Sequence, residues 1–266
     1  MKDNMSKTVI HIWGPLGIQS YGLFVVIGIL VATWLFLKNP KTKSVISKET
    51  FNKVLIATIV SGIVGGRLLY IFEDPQNLQS LIDIFKVWHG GLSSLGAIAA
   101  ILLIVPLYLK KLKVPIIPFL DLIAIYAPLI YAIARIGCFF AGCCYGTQVN
   151  LPWAVTYTDI TSSAPLGITL HPAQLYSSIA SFCIFLLLYF VLSKKLQKPG
   201  QLLFAYLMLA SLERFSIDLV RGDRTFFSSH GLLSKLSTSG WISLLIFFIS
   251  LITLAVIPFK KTKSNG

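Results

Sequence analysis

The chain is predicted to be an all-α polytopic membrane protein, and three observations lead there. Hydrophobic residues make up 55% of the 266 residues and charged ones only 12%, with a mean hydropathy of +0.78. Apolar runs recur at lengths that cross a hydrocarbon core of about 30 Å at 1.5 Å of rise per residue. Lysines gather in every second connection between those runs. The net charge of +13 raises the question of nucleic acid, but the lysines form short clusters rather than one amphipathic face with stacking aromatics. Membrane lipids are therefore the expected partner, and nucleic acid is not.

Seven transmembrane helices are expected, near 20–38, 54–72, 92–109, 115–135, 173–193, 201–219 and 240–259. The first connection carries Lys38, Lys41, Lys43, Lys48 and Lys53, and the third carries Lys110, Lys111 and Lys113. Lys194, Lys195 and Lys198 follow the fifth span, and Lys260, Lys261 and Lys263 follow the last. All four clusters fall on one side, which places the N-terminus outside and the C-terminus in the cytoplasm. The first apolar run is followed by lysines rather than a small-residue cleavage site, so it reads as a retained span. No soluble domain, low-complexity linker or internal repeat is evident, and residues 1–266 read as a single membrane domain. Loops at 73–91, 136–172 and 220–239 share the outer side.

The chemistry concentrates in one stretch, Arg135 to Gly146, reading RIGCFFAGCCYG. An arginine at the centre of a membrane helix costs about 2.5–3.5 kcal/mol on translocon scales, so Arg135 is expected to face a bundle interior or a wet cavity. Glycines at 137, 142 and 146 suit a helix end turning into a loop. A buried cation needs an anion, and the stretch reads as part of a lipid-phosphate site. Cys183 lies in an apolar run, where a small buried hydrophobe is the default.

Other polar features collect near the same outer face. Tyr21 and Gly22 open the first span, and Arg67 closes SGIVGGRLLY near the outer end of the second. Small residues at 62, 65 and 66 suit close helix packing. Trp88 reads as an interfacial anchor in the loop that also holds His89. The fifth span opens His171-Pro172-Ala173-Gln174-Leu175-Tyr176, whose polar side chains either bind a headgroup or tie the helix end to a neighbour. Arg214, Asp218 and Arg221 share one helical face, either as a charge-balanced structural ladder or as ligands.

Taken in order, YGL, GGR, W-x-GG-x-S, ARIG-x-F-x-x-G-x-x-YG, HPAQLY and ERF-x-x-D-x-x-R resemble the prolipoprotein diacylglyceryl transferase family over nearly the whole chain. The resemblance implies a bacterial inner-membrane enzyme with its active site toward the outer leaflet. Such an enzyme transfers the diacylglyceryl group of phosphatidylglycerol to the lipobox cysteine thiol of a preprolipoprotein and releases glycerol phosphate. It implies no metal and no cofactor, and a monomer is expected. Position by position, Arg135 and Arg214 match the family's essential arginines, and Tyr21, Gly146 and Gln174 also match. Arg67 and Arg221 join them as candidate substrate-binding residues. Guanidinium forks bind phosphate bidentately and stabilise charge building on the departing oxygen.

The chain also departs from the family. The histidine of the usual GG-x-SFHGG is Leu95 here, and a leucine takes no proton. The usual two asparagines and glutamate of the signature become Cys138, Ala141 and Cys143, and a family tyrosine becomes Ala210. His89 is the remaining candidate base in that loop. Cys138, Cys143 and Cys144 admit three readings, namely packing residues, an outer-side disulfide, or thiolates near Arg135; a closed zinc site lacks a local fourth ligand. Two alternatives stay open: a divergent relative that binds phospholipid but uses another acceptor or none, and a small-anion transporter.

Overall fold

The computed structural model describes residues 8–13, 16–73, 91, 93–226 and 236–257. Two short strands, β1 (Thr8–Trp13) and β2 (Leu16–Gln19), precede the helices. The helical elements are α1 (Ser20–Lys38), α2 (Pro40–Val45), α3 (Lys48–Glu73), α4 (Ser94–Lys111) and α5 (Ile116–Ala141). After strands β3 (Val155–Thr156) and β4 (Thr169–Leu170) come α6 (Ala173–Leu186), a π-helical stretch Leu187–Leu192, α7 (Ser193–Lys195), α8 (Gln201–Asp218) and α9 (Thr238–Val256).

Five helical segments among the described residues are long and apolar enough to cross a membrane: Ser20–Lys38, Lys48–Glu73, Ile116–Ala141, Ala173–Lys195 and Thr238–Val256. Helices α4 and α8 occupy the other two segments where helices are expected. Helix α8 carries Glu213, Arg214 and Asp218. The outward faces are apolar, with Leu30, Leu102, Leu245 and Ile252 all exposed, while Asp121, Gln174, Ser177, Gln201, Glu213 and Asp218 are buried. That is the distribution of a chain whose solvent is hydrocarbon, where polar side chains must find partners inside.

The chain forms two compact units, each described by itself. One comprises the described residues of Ile12–Leu16 and Leu37–Phe119. In it α2 begins at Asn39, whose side chain accepts from the Lys41 amide at 3.0 Å, with Pro40 in the first turn. Helices α3 and α4 pack so closely at Gly65 that a Cβ there would lie 2.2 Å from the Ala100 Cβ and 2.6 Å from the Gly96 carbonyl oxygen. Small residues let membrane helices bring backbone against backbone, so the packing reading of this glycine run holds at Gly65.

The second unit comprises the described residues of Met1–His11, Gly17–Phe36 and Leu120–Gly266. Its buried axis is α5, with Pro128 inside it and Ala124, Ile125, Tyr126 and Leu129 buried. The Asp121 carboxylate, near the start of α5, accepts from the backbone amides of Gly200 at 2.6 Å and Leu203 at 2.7 Å. It thereby satisfies orphan donors at the N-terminus of α8, where a negative group is also favoured by the helix dipole. Helix α5 runs to Ala141, past the 135 boundary expected from sequence, because Ile136, Cys138, Phe139 and Phe140 prolong the apolar run. Arg135 therefore lies inside a helix rather than at its end. Loop residues 146–149 pair with residues 169–171 beside β4, with Val149 donating to the Thr169 carbonyl at 3.0 Å and His171 donating to the Thr147 carbonyl at 3.0 Å.

Candidate active site

All but two of the candidate site residues fall in the second unit. On α5, Tyr131, Arg135 and Cys138 follow one another at helical spacings of four and three and so share a face. Arg135 donates through Nη2 to the Tyr131 hydroxyl, and its guanidinium carbon lies 4.5 Å from the Tyr131 ring centroid. A desolvated cation over a phenol ring gains from the ring quadrupole as well as from the hydrogen bond. The Nε of Arg135 is buried without a hydrogen-bond partner among the described residues.

Beyond Ala141 the chain reverses. Gly142 has φ +72° and Cys144 has φ +57°, a left-handed conformation that ordinary side chains rarely adopt. The turn brings Cys143 back over the helix end, where its Sγ donates to the Cys138 carbonyl at 3.8 Å. The sulfurs of Cys138, Cys143 and Cys144 lie within 4.8 Å of one another, and all are free thiols. Backbone bonds fix the loop that follows. Gly146 donates to the His171 carbonyl at 3.1 Å, Thr147 to the Val220 carbonyl at 2.8 Å, and Gly222 to the Tyr145 carbonyl at 2.9 Å. Gln174 closes the arrangement, donating through Nε2 to the Cys143 carbonyl at 2.8 Å and the Tyr157 hydroxyl at 3.2 Å, while its Oε1 is buried without a partner among the described residues. Tyr157 in turn donates to the Phe139 carbonyl at 3.1 Å.

Helix α8 supplies the second cation. Arg214 donates through Nη2 to Ser239 Oγ at 2.9 Å and stands 3.7 Å from the Asp218 carboxylate. Asp218 accepts from Ser237, and from Ser239 at 2.5 Å, which joins α8 to the start of α9. Ser237 also caps α9, accepting from the Gly240 amide at 2.9 Å. The Nη1 of Arg214 is buried and has no partner among the described residues. Glu213, the neighbouring buried acid, accepts from the Ser177 hydroxyl of α6. Arg221 is held by a bidentate pair to Asp223, at 2.8 and 2.9 Å. Arg135, Arg214 and Arg221 act on one another electrostatically, and Glu213 and Asp218 are among the opposing charges.

The groups in the loops respond to this field. The Cys144 thiol is held well below its usual range by hydrogen bonds from Cys138 and Cys143, with the Arg135 and Arg221 guanidiniums adding to the effect. Cys143 is pushed the other way by the same sulfur contacts and by burial. Burial raises the Tyr157 hydroxyl. For Arg221, burial opposes the charge, but the Asp223 pair and Cys144 outweigh it and hold the guanidinium above its ordinary value.

The expected residues are thus distributed unevenly. Arg135, Gly146, Gln174, Arg214 and Arg221 assemble in the second unit. Tyr21 on α1 belongs to it too and interacts electrostatically with Cys138, Cys143 and Arg135. Arg67 lies in the other unit, where it donates to the Gly91 carbonyl at 3.0 Å and covers the Tyr70 ring at 5.5 Å. His89, like Trp88, lies outside the described residues, and Leu95 is exposed on α4. His171 and Tyr176 tie the start of α6 to the loop: the Tyr176 hydroxyl accepts from Trp153 Nε1 at 2.7 Å and lies 3.3 Å from His171 Nδ1. Sequence reasoning missed Tyr131, Glu213, Ser239 and Asp223. A signal existed for Tyr131, one turn before a membrane arginine, and for Asp223, two residues beyond another. None existed for Ser239, which only the chain's return brings to Arg214.

Residues 7–256 match the family model of prolipoprotein diacylglyceryl transferase. The chain is 36% identical to the phosphatidylglycerol–prolipoprotein diacylglyceryl transferase of Clostridium tetani, over 97% of this chain and 100% of that one. It is 32% identical to phosphatidylglycerol–prolipoprotein diacylglyceryl transferase 2 of Clostridium perfringens, over 94% and 95% of the two chains. The Thermotoga maritima protein of that name is 31% identical, over 82% of this chain and 75% of its own. With two half-buried guanidiniums in one unit and a family match spanning nearly all its residues, the chain belongs to the prolipoprotein diacylglyceryl transferase family, a family of transferases.

Proposed function

We propose that the protein transfers the diacylglyceryl group of phosphatidylglycerol to the lipobox cysteine thiol of a preprolipoprotein, forming a thioether and releasing glycerol phosphate. The observation that carries this reading is the pair Arg135 and Arg214, both half-buried in one unit, each with one buried guanidinium nitrogen that has no acceptor among the described residues. A lipid phosphate satisfies both. As the glyceryl C–O bond breaks, charge accumulates on the departing phosphate oxygen, and fixed guanidinium donors stabilise it most in a water-poor site. Arg221 extends the positive field, and Tyr131 holds the Arg135 fork in register. Gly146 and Gln174 shape the loop that lines the site, and Tyr21 lies beside it. Arg67 is proposed to contribute to lipid binding, and His89, which lies outside the described residues, is the proposed base.

In this reading seven helices, including α4 and α8, span the bacterial inner membrane, with the N-terminus outside, the C-terminus in the cytoplasm and the site open to the outer leaflet. Residues 1–266 form one domain and the protein works as a monomer; the family match runs continuously through both compact units, which supports a single domain. The test is a purified assay with headgroup- and glyceryl-labelled phosphatidylglycerol and a lipobox peptide. Labelled glyceryl on the peptide with stoichiometric glycerol phosphate is the expected result, and phospholipid binding without transfer favours the divergent relative that Leu95 suggests.

A further inference from the structure

We infer that Cys138, Cys143 and Cys144 form a three-thiolate site for a single soft divalent cation of the zinc class, whose open fourth position takes the acceptor's thiol. The inference rests on the proposed transfer to a cysteine and deepens it. Three sulfurs lie within 4.8 Å of one another. Tetrahedral zinc with Zn–S bonds of about 2.3 Å sets its sulfurs roughly 3.8 Å apart, so closing by about an ångström completes the set. Sequence spacing argued against a closed four-ligand zinc site. Three protein ligands with a vacant fourth position is the other arrangement zinc adopts, the one found where it does chemistry.

Three further features fit. Cys144 is held at φ +57°, a conformation whose strain is kept where geometry must be fixed. Gln174 pins the Cys143 carbonyl from α6, so the trio is braced from a second helix as metal ligands commonly are. Arg135 and Arg221 lie in the electrostatic neighbourhood of Cys144. A trithiolate holding a divalent ion carries one net negative charge, which those guanidiniums offset. Plain packing explains the sulfurs' proximity but gives no reason to set them against two cations.

The site also gives the acceptor thiol a route to its thiolate that needs no base. Binding releases three thiol protons to water. A thiol that coordinates such an ion loses its proton outright, to solvent, with no need of the histidine that Leu95 replaces. The coordinated sulfur then attacks the glyceryl carbon. Its electron pair forms the C–S bond, and the C–O pair leaves on glycerol phosphate, whose charge Arg135 and Arg214 receive. A direct attack by Cys144 itself leads nowhere, because a thioether sulfur is too poor a leaving group to pass the glyceryl on.

The full chain, purified in detergent, stripped of metal and kept reduced with a phosphine, is titrated with Cd²⁺. One ion per chain and an ultraviolet thiolate-to-cadmium band of three-sulfur intensity are expected. Cys138→Ser, Cys143→Ser and Cys144→Ser should each weaken binding at least tenfold, while Cys183→Ser leaves it unchanged. A lipobox peptide should raise the band to four-sulfur intensity, and its cysteine-to-serine version should not. No stoichiometric band on the wild-type chain, a band that survives Cys144→Ser, no response to the peptide, or a disulfide among the three in freshly isolated protein each overturns the proposal. Transfer separates the two readings. Equal rates for metal-free and zinc-loaded protein sink the metal site and leave the transferase; the full cadmium response without any transfer sinks the transferase and leaves the site.

Discussion

Neutralising Asp218 tests whether the positive cluster is held by charge. Its carboxylate accepts from Ser237 and Ser239 and faces Arg214 Nη2 at 3.7 Å, with side-chain exposures of 3% for Asp218 and 25% for Arg214. Asp218→Asn preserves volume, so no cavity is made, and the two hydroxyls can rotate to meet an amide. What is lost is the countercharge. Breaking a buried pair by removing one partner destabilises by about 3–5 kcal/mol, and the partly exposed arginine puts this case at the lower end, about 3 kcal/mol. At 1.36 kcal/mol per tenfold, that is on the order of a hundredfold in the folded-to-unfolded ratio. Unfolding in mixed micelles reads the change directly, and the double variant with Arg214→Met should recover most of it, since no unpaired charge is left. A loss under about 1 kcal/mol, or additive single effects in the cycle, refutes the reasoning.

Other expectations follow from the same contacts. Arg135→Lys keeps the charge but loses the fork and the fit over Tyr131, so transfer of labelled glyceryl should fall by about 10- to 150-fold, the equivalent of one charge-assisted hydrogen bond of about 1.5–3 kcal/mol; an unchanged rate removes Arg135 from phosphate binding. Gly146→Ala places a Cβ 2.4 Å from the His171 Cβ and 2.5 Å from its carbonyl oxygen, and thermal unfolding should show an overpacking loss of about 1–3 kcal/mol. Gly65→Ala should lose a similar amount through the α3–α4 contact, measured the same way. Asp121→Ala removes the acceptor of the Gly200 and Leu203 amides, which should exchange hydrogen faster, with a stability loss of about 0.5–2 kcal/mol.

Length and apolarity made the helices legible, since a chain in lipid must write each span as an uninterrupted run. The π-helical stretch at Leu187–Leu192 was not legible, because nothing in its apolar composition distinguishes it from the α-helix it continues. Arg135 and Arg214 stood out because a guanidinium among leucines demands a reason. Their supporting partners did not, because serines and tyrosines are unremarkable until the chain returns to them: Ser239 reaches Arg214 from α9 and Ser177 reaches Glu213 from α6. The three cysteines were visible as a cluster in sequence, but their convergence depends on the reversal at Gly142 and Cys144, which spacing alone does not specify. The small residues before Arg67 carried a packing signal, and at Gly65 packing is what they do.

Helix α5 is fastened to α8 near both ends, by Asp121 on the amides of Gly200 and Leu203 and by the attraction of Arg135 for the Glu213 carboxylate of α8, fourteen residues and about 21 Å further along. A rod tethered twice to its neighbour can neither screw about its axis nor slip lengthwise without undoing one tether. In the proposed transfer, a two-tailed lipid therefore reaches the site elsewhere than between these two helices.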